Sequence, residues 1–226
     1  DSPQYNEFLK AKAAKQKEVD DWLEERRVNT QKELQSRIAD YLVYLAKSLP
    51  KYAEGKKISM QGARGPLRRA AIARWQRYLT QPNESPEAIW VFLRYLGEIP
   101  VAEFPQTTLS LIQGKTDNAQ SDSDPDRIKW LAELPSALLD QLTSKPPETF
   151  PDACQIIGQY LEKTIAVSNE QTQSGTVPSD LSNPQDMTLR QILLSGRTPA
   201  TLDTQQAIVH LDQGERNRYN QLKNAV

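Results

Sequence analysis

The sequence predicts an all-α fold, and three observations support this prediction. Apolar residues recur every three or four positions along most of the chain, which is the period of one face of an α-helix. Neither Gly nor Pro interrupts residues 4–49, so one helix of unusual length can form there. Prolines number 15 against 9 glycines, and several of them stand where helices begin.

Five prolines follow a residue that is a plausible helix N-cap. Proline suits the first helical position because its missing N–H has no partner there and its φ angle is already helical. Five helix starts are therefore predicted, at Ser2-Pro3, Gly65-Pro66, Ser85-Pro86, Asp124-Pro125 and Asn183-Pro184.

The first helix is predicted to run from about Pro3 to about Leu49. Its second half carries an apolar stripe at spacings of three to four, formed by Leu34, Ile38, Leu42, Leu45 and Leu49. Residues 1–49 hold nine basic and nine acidic residues, so this segment has no net charge. Such mixed charge favours an exposed helix that packs as a hairpin or brace against the shorter helices that follow.

Shorter amphipathic helices are predicted over the rest of the chain. They follow Gly65, follow Pro86, cover about 102–112, flank Pro135, and cover about 150–165, 187–194 and 212–226, where Asp212 and Glu215 resemble a capping box. Segments 113–124 and 168–183 are polar and are predicted to be linkers. We therefore expect a long-helix lobe at 1–113 and a second helical lobe at 125–226, with one continuous helical domain as the alternative.

Composition narrows the classes of function. Lys and Arg number 28 and Asp and Glu 29, so the net charge of −1 gives no overall attraction to nucleic acid, which is an unlikely partner. No apolar run approaches the roughly 18 residues needed to cross a bilayer, so no membrane insertion is expected. The single cysteine, Cys154, excludes an internal disulfide, a cysteine-based zinc site and a c-type haem attachment, and no cofactor is expected.

Residues 51–77 form the steepest charge asymmetry, with eight basic residues against Glu54 alone. Basic residues interleaved with aromatic ones are typical of surfaces that bind anionic polymers, so this segment is a candidate site for acidic polysaccharide or nucleic acid. The candidate contacts are Lys56, Lys57, Arg64, Arg68, Arg69, Arg74 and Arg77. The alternative is that Arg64, Arg68 and Arg69 pair with carboxylates of the first helix.

Three tryptophans, Trp22, Trp75 and Trp90, are candidate interface residues, because aromatic side chains carry much of the binding energy at interfaces. His210 has no second histidine as a partner and is interpreted as structural. Carboxylate pairs such as Asp21 and Glu25 lie among basic residues and are expected to be solvated. An enzyme whose Asp and Glu residues converge only on folding stays open as an alternative.

One acidic segment has the spacing of a calcium loop without its backbone requirements. Asp122, Asp124, Asp126 and Glu133 occupy positions 1, 3, 5 and 12, but position 6 is Arg127 where the loop needs Gly. Acidic residues at a helix N-terminus, where the helix dipole favours them, are the preferred interpretation.

Four segments, in this order, carry a resemblance to a known family. They are Trp22-Leu-Glu-Glu-Arg-Arg27, Arg37-Ile-Ala-Asp-Tyr-Leu42, Arg74-Trp-Gln-Arg-Tyr-Leu79 and the stretch from Leu211 to Tyr219. The chain resembles the helical region between two domains of unknown function in large exported, cytochrome-associated proteins of planctomycete bacteria. The resemblance implies a periplasmic or cell-surface location and a cytochrome-like domain upstream. It brings no known activity, and Cys154 lacks the family's haem motif.

These observations together predict a non-catalytic helical spacer or docking module within a larger exported multi-domain protein. Its expected partners are neighbouring domains of the same polypeptide or an assembly partner, contacted along the first helix and the Trp75 and Trp90 helices. A homodimer is an alternative, because a long charged helix can pair with a copy of itself. The anionic-polymer site and the unrecognised Asp/Glu enzyme site are the two other functional hypotheses.

Overall fold

The computed structural model describes residues 3–83, 86–113, 130–174 and 184–226. The all-α prediction and the long N-terminal helix are confirmed. The helices are α1 Pro3–Gln35, α2 Ile38–Lys47, α3 Pro50–Ala53, α4 Arg69–Thr80, α5 Ala88–Glu98, α6 Phe104–Ile112, α7 Ser136–Ser144, α8 Phe150–Ser174, α9 Pro184–Leu194, α10 Thr204–His210 and α11 Gln213–Asn224. A small antiparallel hairpin, β1 Gln61–Gly62 and β2 Gly65–Pro66, lies between α3 and α4.

The first predicted helix is two helices, and the prediction of one helix to Leu49 is wrong. The chain leaves the helical path at Ser36 and Arg37, where Arg37 has φ −129° and ψ 21°. The side chain of Arg37 donates hydrogen bonds to the carbonyl oxygens of Pro66 (3.0 Å) and Gly65 (2.6 Å), in the hairpin. The break therefore depends on contacts with a segment that lies 28 residues further along the chain.

Other parts of the helix assignment also differ from the predictions, and the helix predicted to start at Pro86 begins at Ala88. Pro66 pairs with Gln61 in the hairpin, so the helix predicted to start there begins at Arg69 instead. Residues 168–174 continue α8, although their polar composition predicted a linker. Helix α10 was not predicted. Residues 114–129, which contain most of the first predicted linker and the calcium-like carboxylates at 122–126, lie outside the described residues.

Capping residues explain where three of the later helices begin. The N-terminus of α8 is capped by Thr149 and Asp152, since the Asp152 N–H donates to the Thr149 hydroxyl and the Thr149 N–H donates to the Asp152 carboxylate. Capping boxes also open α10, between Asp203 and Gln206, and α11, between Asp212 and Glu215. The capping box predicted at Asp212 is confirmed.

Most of the buried apolar side chains among the described residues form one cluster, which is the core. It contains residues of both predicted lobes, such as Leu34, Trp90, Leu138, Ile157 and Leu202. Helix α2 lies along α8 at its centre. Burying a Leu or Ile side chain fully contributes about 1.5–3 kcal/mol to stability. Packing between residues of the two predicted lobes, 1–113 and 125–226, is therefore a main source of stability.

The close approach of α2 to α8 requires a glycine at position 158. A Cβ atom placed on Gly158 would overlap the Cα of Ala39 and lie 2.8 Å from the Ala39 Cβ. The atoms that this Cβ would meet are the backbone and Cβ of Ala39, and no flexible side chain can move aside to make room. The two helices would have to separate to admit any larger residue.

We therefore expect Gly158→Ala to lower the free energy of unfolding by about 1–3 kcal/mol, the usual cost of overpacking a core. Urea denaturation would measure it. Gly214→Ala is the matched control, because Gly214 is also helical and its added Cβ would meet only the Asp212 side chain at 3.4 Å. Equal stability of the Gly158→Ala variant and the wild type would contradict the close packing of α2 on α8.

Candidate interaction surfaces

The hairpin in the middle of the basic segment packs on a buried ion pair at the start of α2. Arg37 Nε lies 3.2 Å from Asp40 Oδ2, and the two side chains are only 6% and 4% exposed. Asp40 also accepts a hydrogen bond from the Ala63 N–H (3.2 Å). A Cβ atom on Gly62 would lie 2.7 Å from Asp40 Oδ2, so the hairpin backbone packs directly on this carboxylate.

Arg64 connects the hairpin to α8. Its guanidinium lies 2.6 Å from Glu162 Oε2 and also donates to the Ser36 carbonyl oxygen at the break between α1 and α2. The other Glu162 oxygen accepts a hydrogen bond from the Ala39 N–H (2.8 Å) in the first turn of α2. Glu162 thus satisfies a backbone donor at the α2 N-terminus, where negative charge is favourable.

Arg68 and Arg74 hold the C-terminal part of the chain. Arg68 forms an ion pair with Glu33 of α1 (2.7 Å) and donates to the His210 carbonyl oxygen (2.6 Å). Arg74 donates to the carbonyl oxygens of Pro199 (3.2 Å) and Thr201 (3.0 Å). The Arg74 partners precede α10 and His210 ends it, so the two arginines hold the two ends of α10.

These contacts occupy part of the basic surface that the sequence predicts as a binding site for anionic polymers. Of the seven candidate contacts, Arg64, Arg68 and Arg74 bind carboxylate or carbonyl oxygens within the chain. Lys56, Lys57, Arg69 and Arg77 are exposed, and Lys56 Nζ lies 3.5 Å from Glu54. The alternative prediction is that arginines of this segment pair with carboxylates of the first helix. Arg68 does so, because its partner Glu33 belongs to α1.

The Arg37–Asp40 pair yields a stability prediction. Removing one member of a buried ion pair leaves the other charge poorly compensated, and Glu33, 3.5 Å from Arg37 Nη1, only partly replaces Asp40. We therefore expect Asp40→Ala to cost about 3 kcal/mol in urea denaturation. The control is Asp21→Ala, because the Lys17–Asp21 side chains are 74% and 64% exposed and water screens such a pair, so its loss should change stability little. Asp40→Asn, which keeps an acceptor oxygen, should lose less. A loss with Asp40→Ala no larger than the control loss would refute the structural role of the pair.

His210 lies buried between α1 and α4, with 4% of its surface exposed. Its Nδ1 atom lies 2.8 Å from the Gln206 carbonyl oxygen, which can only accept, so Nδ1 carries the proton. Nε2 is buried and has no hydrogen-bond partner among the described residues. Burial lowers the pKa of His210, and the nearby cations Arg74 and Arg68 lower it further, against opposing effects of Gln206 and Glu33.

This lowered pKa makes stability depend on pH. Below about pH 6.5 the unfolded chain protonates His210 while the folded chain resists it, so the free energy of unfolding falls as the pH drops from 7.5 to 5.5. The chain has one histidine, so His210→Gln should flatten this dependence. Urea denaturation at both pH values measures the difference. An identical pH slope in the variant and the wild type would contradict the assignment.

The structure corrects the predicted interface tryptophans. Trp75 and Trp90 are 0% exposed and form an aromatic cluster with Tyr78, with ring centroids 5.5–6.2 Å apart. They contribute to the core and are not available to a partner. Trp22 is partly buried and stacks on Tyr219 of α11, with ring centroids 6.4 Å apart, under the Arg26 guanidinium.

The N-terminal half of α1 is the part of the predicted interface that stays uncovered. Every residue from 3 to 18 is exposed, whereas Val19 and Leu23 are buried against the body. Three large apolar side chains lie on this exposed segment: Tyr5 (53% exposed), Phe8 (59%) and Leu9 (43%). We call residues 3–18 the arm and these three side chains the arm patch. Composition did not single out the patch, because charged residues surround it in the sequence.

A second apolar surface is a groove that sequence reasoning missed. It has a volume of about 530 Å³ and lies between α2, α4 and α5, with the start of α8 at its floor. Leu45, Leu49, Ile72 and Leu79 line it and are only partly buried, and Cys154 forms part of the floor. Burial raises the pKa of the Cys154 thiol, so this cysteine is protonated at neutral pH.

The described residues contain no cluster of three or more His, Cys, Asp or Glu side chains arranged to hold a metal ion. In the same part of the chain, every helix is too short or too polar to cross a bilayer. No known protein family matches the sequence, and no curated protein or solved structure is significantly similar to it. The resemblance to the planctomycete proteins therefore stays a prediction.

Proposed function

We propose that this protein is a non-catalytic helical docking module, which uses the arm to bind a neighbouring domain or an assembly partner. The observation that carries the proposal is the contrast along α1. Residues 19–35 pack on the body, while residues 3–18 extend from it as about 24 Å of exposed helix. The arm patch then presents three large apolar side chains to solvent.

Physical chemistry favours a partner for the arm. An isolated helical segment of this length is marginally stable in water, and most helices gain their stability by packing an apolar face. The Lys17–Asp21 pair at the base of the arm is largely exposed to water and adds little stability. A partner that covers the arm patch would supply the missing packing energy.

The wider setting of the proposal comes from the family resemblance. A helical region between two domains of a large exported protein would hold them at a defined distance, and a rigid body with one projecting helix suits that role. Periplasmic or cell-surface location is part of this proposal. An exposed cluster of apolar side chains on an otherwise polar helix is typical of an interaction site.

The test uses the full chain and each flanking domain of its parent protein, produced separately and mixed in a calorimeter. We expect one of them to bind with a negative heat-capacity change, the signature of buried apolar surface. The triple variant Tyr5→Ser, Phe8→Ser, Leu9→Ser should lose at least ten-fold in affinity. Its urea stability should stay within about 0.5 kcal/mol of the wild type, because these side chains are exposed in the free chain.

The control replaces exposed apolar side chains elsewhere. Met187→Ser and Val209→Ser remove side chains that are 54% and 61% exposed, on α9 and α10. This double variant should bind like the wild type. Unchanged affinity of the triple variant would refute the arm as the docking element.

A further inference from the structure

We infer that the arm binds an amphipathic helix of another polypeptide, antiparallel to α1 and in line with α11, with its carboxylates facing Lys12 and Lys15. This inference rests on the proposed function and names the chemistry of the partner. Two observations carry it, namely the way α11 packs on α1 and the charge pattern of the arm.

Helix α11 packs antiparallel to α1 and shows how this face of α1 is covered. Arg26 of α1 lies 3.6 Å from Glu215, and Trp22 stacks on Tyr219, so the contacts move back along α1 as α11 advances. Near the end of α11, Leu222 is buried (7% exposed), and Val19 of α1 is buried as well (4% exposed). Helix α11 ends at Asn224, so the part of α1 before Val19 stays uncovered.

The arm patch lies on the same face of α1 that α11 and the body cover further along. At about 100° per residue, Tyr5, Phe8 and Leu9 fall within about 65° of the mean direction of the buried residues of α1. The stripe that α11 begins to cover therefore continues along the arm. A helix placed in line with α11 would cover the patch in the way that Tyr219 of α11 covers Trp22.

The charges of the arm define what such a helix must carry. By the same geometry, Lys12 lies at the centre of the stripe and Lys15 at its edge. The two acidic residues of the arm, Glu7 and Glu18, point more than about 120° away from the stripe. The uncovered face is thus apolar over one turn and basic over the next.

This pattern favours an acidic helix over a second copy of the chain. Two antiparallel arms would place lysines against apolar side chains or other lysines, with no carboxylate on either face to compensate them. It also disfavours a bilayer, because a lysine at the centre of the stripe limits the apolar face to one turn. A partner helix with apolar residues opposite the patch and carboxylates opposite Lys12 and Lys15 complements both the apolar turn and the basic turn of this face.

The test uses designed helical peptides and the full chain. One peptide carries glutamates along one face in its first half, to meet Lys15 and Lys12 in the antiparallel orientation, and leucines on that face in its second half. A matched peptide carries lysines in place of the glutamates. Fluorescence anisotropy should show the glutamate peptide binding at least ten-fold more tightly. Equal affinities, or no binding of either peptide, would overturn the inference.

Charge reversal provides the decisive control. Lys12→Glu with Lys15→Glu should reverse the preference, so that the lysine peptide becomes the tighter ligand. Lys10→Glu with Lys17→Glu makes the same charge change on the opposite face of α1 and should leave the preference for the glutamate peptide intact. If both double variants behave alike, the peptides respond to net charge and the inference fails.

Two further measurements test whether the arm instead binds a second copy of the chain or a membrane. Sedimentation velocity of the wild type and Phe8→Ser would detect a dimer built on the arm. Co-sedimentation with phosphatidylcholine vesicles containing a quarter phosphatidylserine would detect membrane binding. An arm-dependent dimer, or arm-dependent vesicle binding without peptide preference, would overturn the inference.

The two proposals fail separately. If the arm triple variant loses the flanking domain while the Lys12→Glu, Lys15→Glu variant keeps it at full affinity, the acidic-helix inference is wrong and the docking function stands. If the triple variant keeps the flanking domain at full affinity, the docking function itself is wrong.

Discussion

The architecture depends on the buried ion pair between Arg37 and Asp40 at the break between α1 and α2. Burying two charges is costly, so such a pair persists only when further hydrogen bonds satisfy both partners. Here the hairpin supplies them, through the carbonyl oxygens of Gly65 and Pro66 and the Ala63 N–H. The pair therefore fixes where α1 ends, where α2 begins and where the hairpin lies. It also sets the direction in which α1 leaves the body.

Three arginines later in the sequence make similar side-chain contacts with other parts of the chain. Arg64, Arg68 and Arg74 each bind a backbone carbonyl oxygen of a segment that is distant in sequence. Irregular segments need such donors, because their carbonyl groups lack the partners that a helix provides. A planar guanidinium with several donors can bridge two segments at once. The basic stretch thus joins α1, α8 and α10, which leaves less positive charge for an external polymer.

Helix α1 consequently has two parts with different roles. From Val19 onward it is held by α10, α11 and the arginine contacts, whereas every residue of the arm is exposed. The arm continues a helix that packs on the body from Val19 onward. A partner bound to the arm would therefore take a defined orientation relative to the body, as a docking or spacing role requires.

Local patterns in the sequence were enough for the helical class, the long first helix and the capping box at Asp212. These features depend on residues within a few positions of one another, which a single sequence displays directly. The position of α10 was missed because its seven residues show too little periodicity. Polar residues 168–174 were misassigned to a linker because composition does not show that a preceding helix continues through them.

Only the tertiary structure decided the break at Arg37, the partners of the arginines and the accessibility of the tryptophans. The sequence by itself determined that Trp75 and Trp90 lie on apolar helix faces, but the same pattern serves a core and an interface equally well. Whether an apolar face is covered by its own chain depends on segments far away in sequence. Burial of Trp75 and Trp90 and exposure of Phe8 follow from that long-range packing, because side chains of similar chemistry differ here only in what the fold places over them.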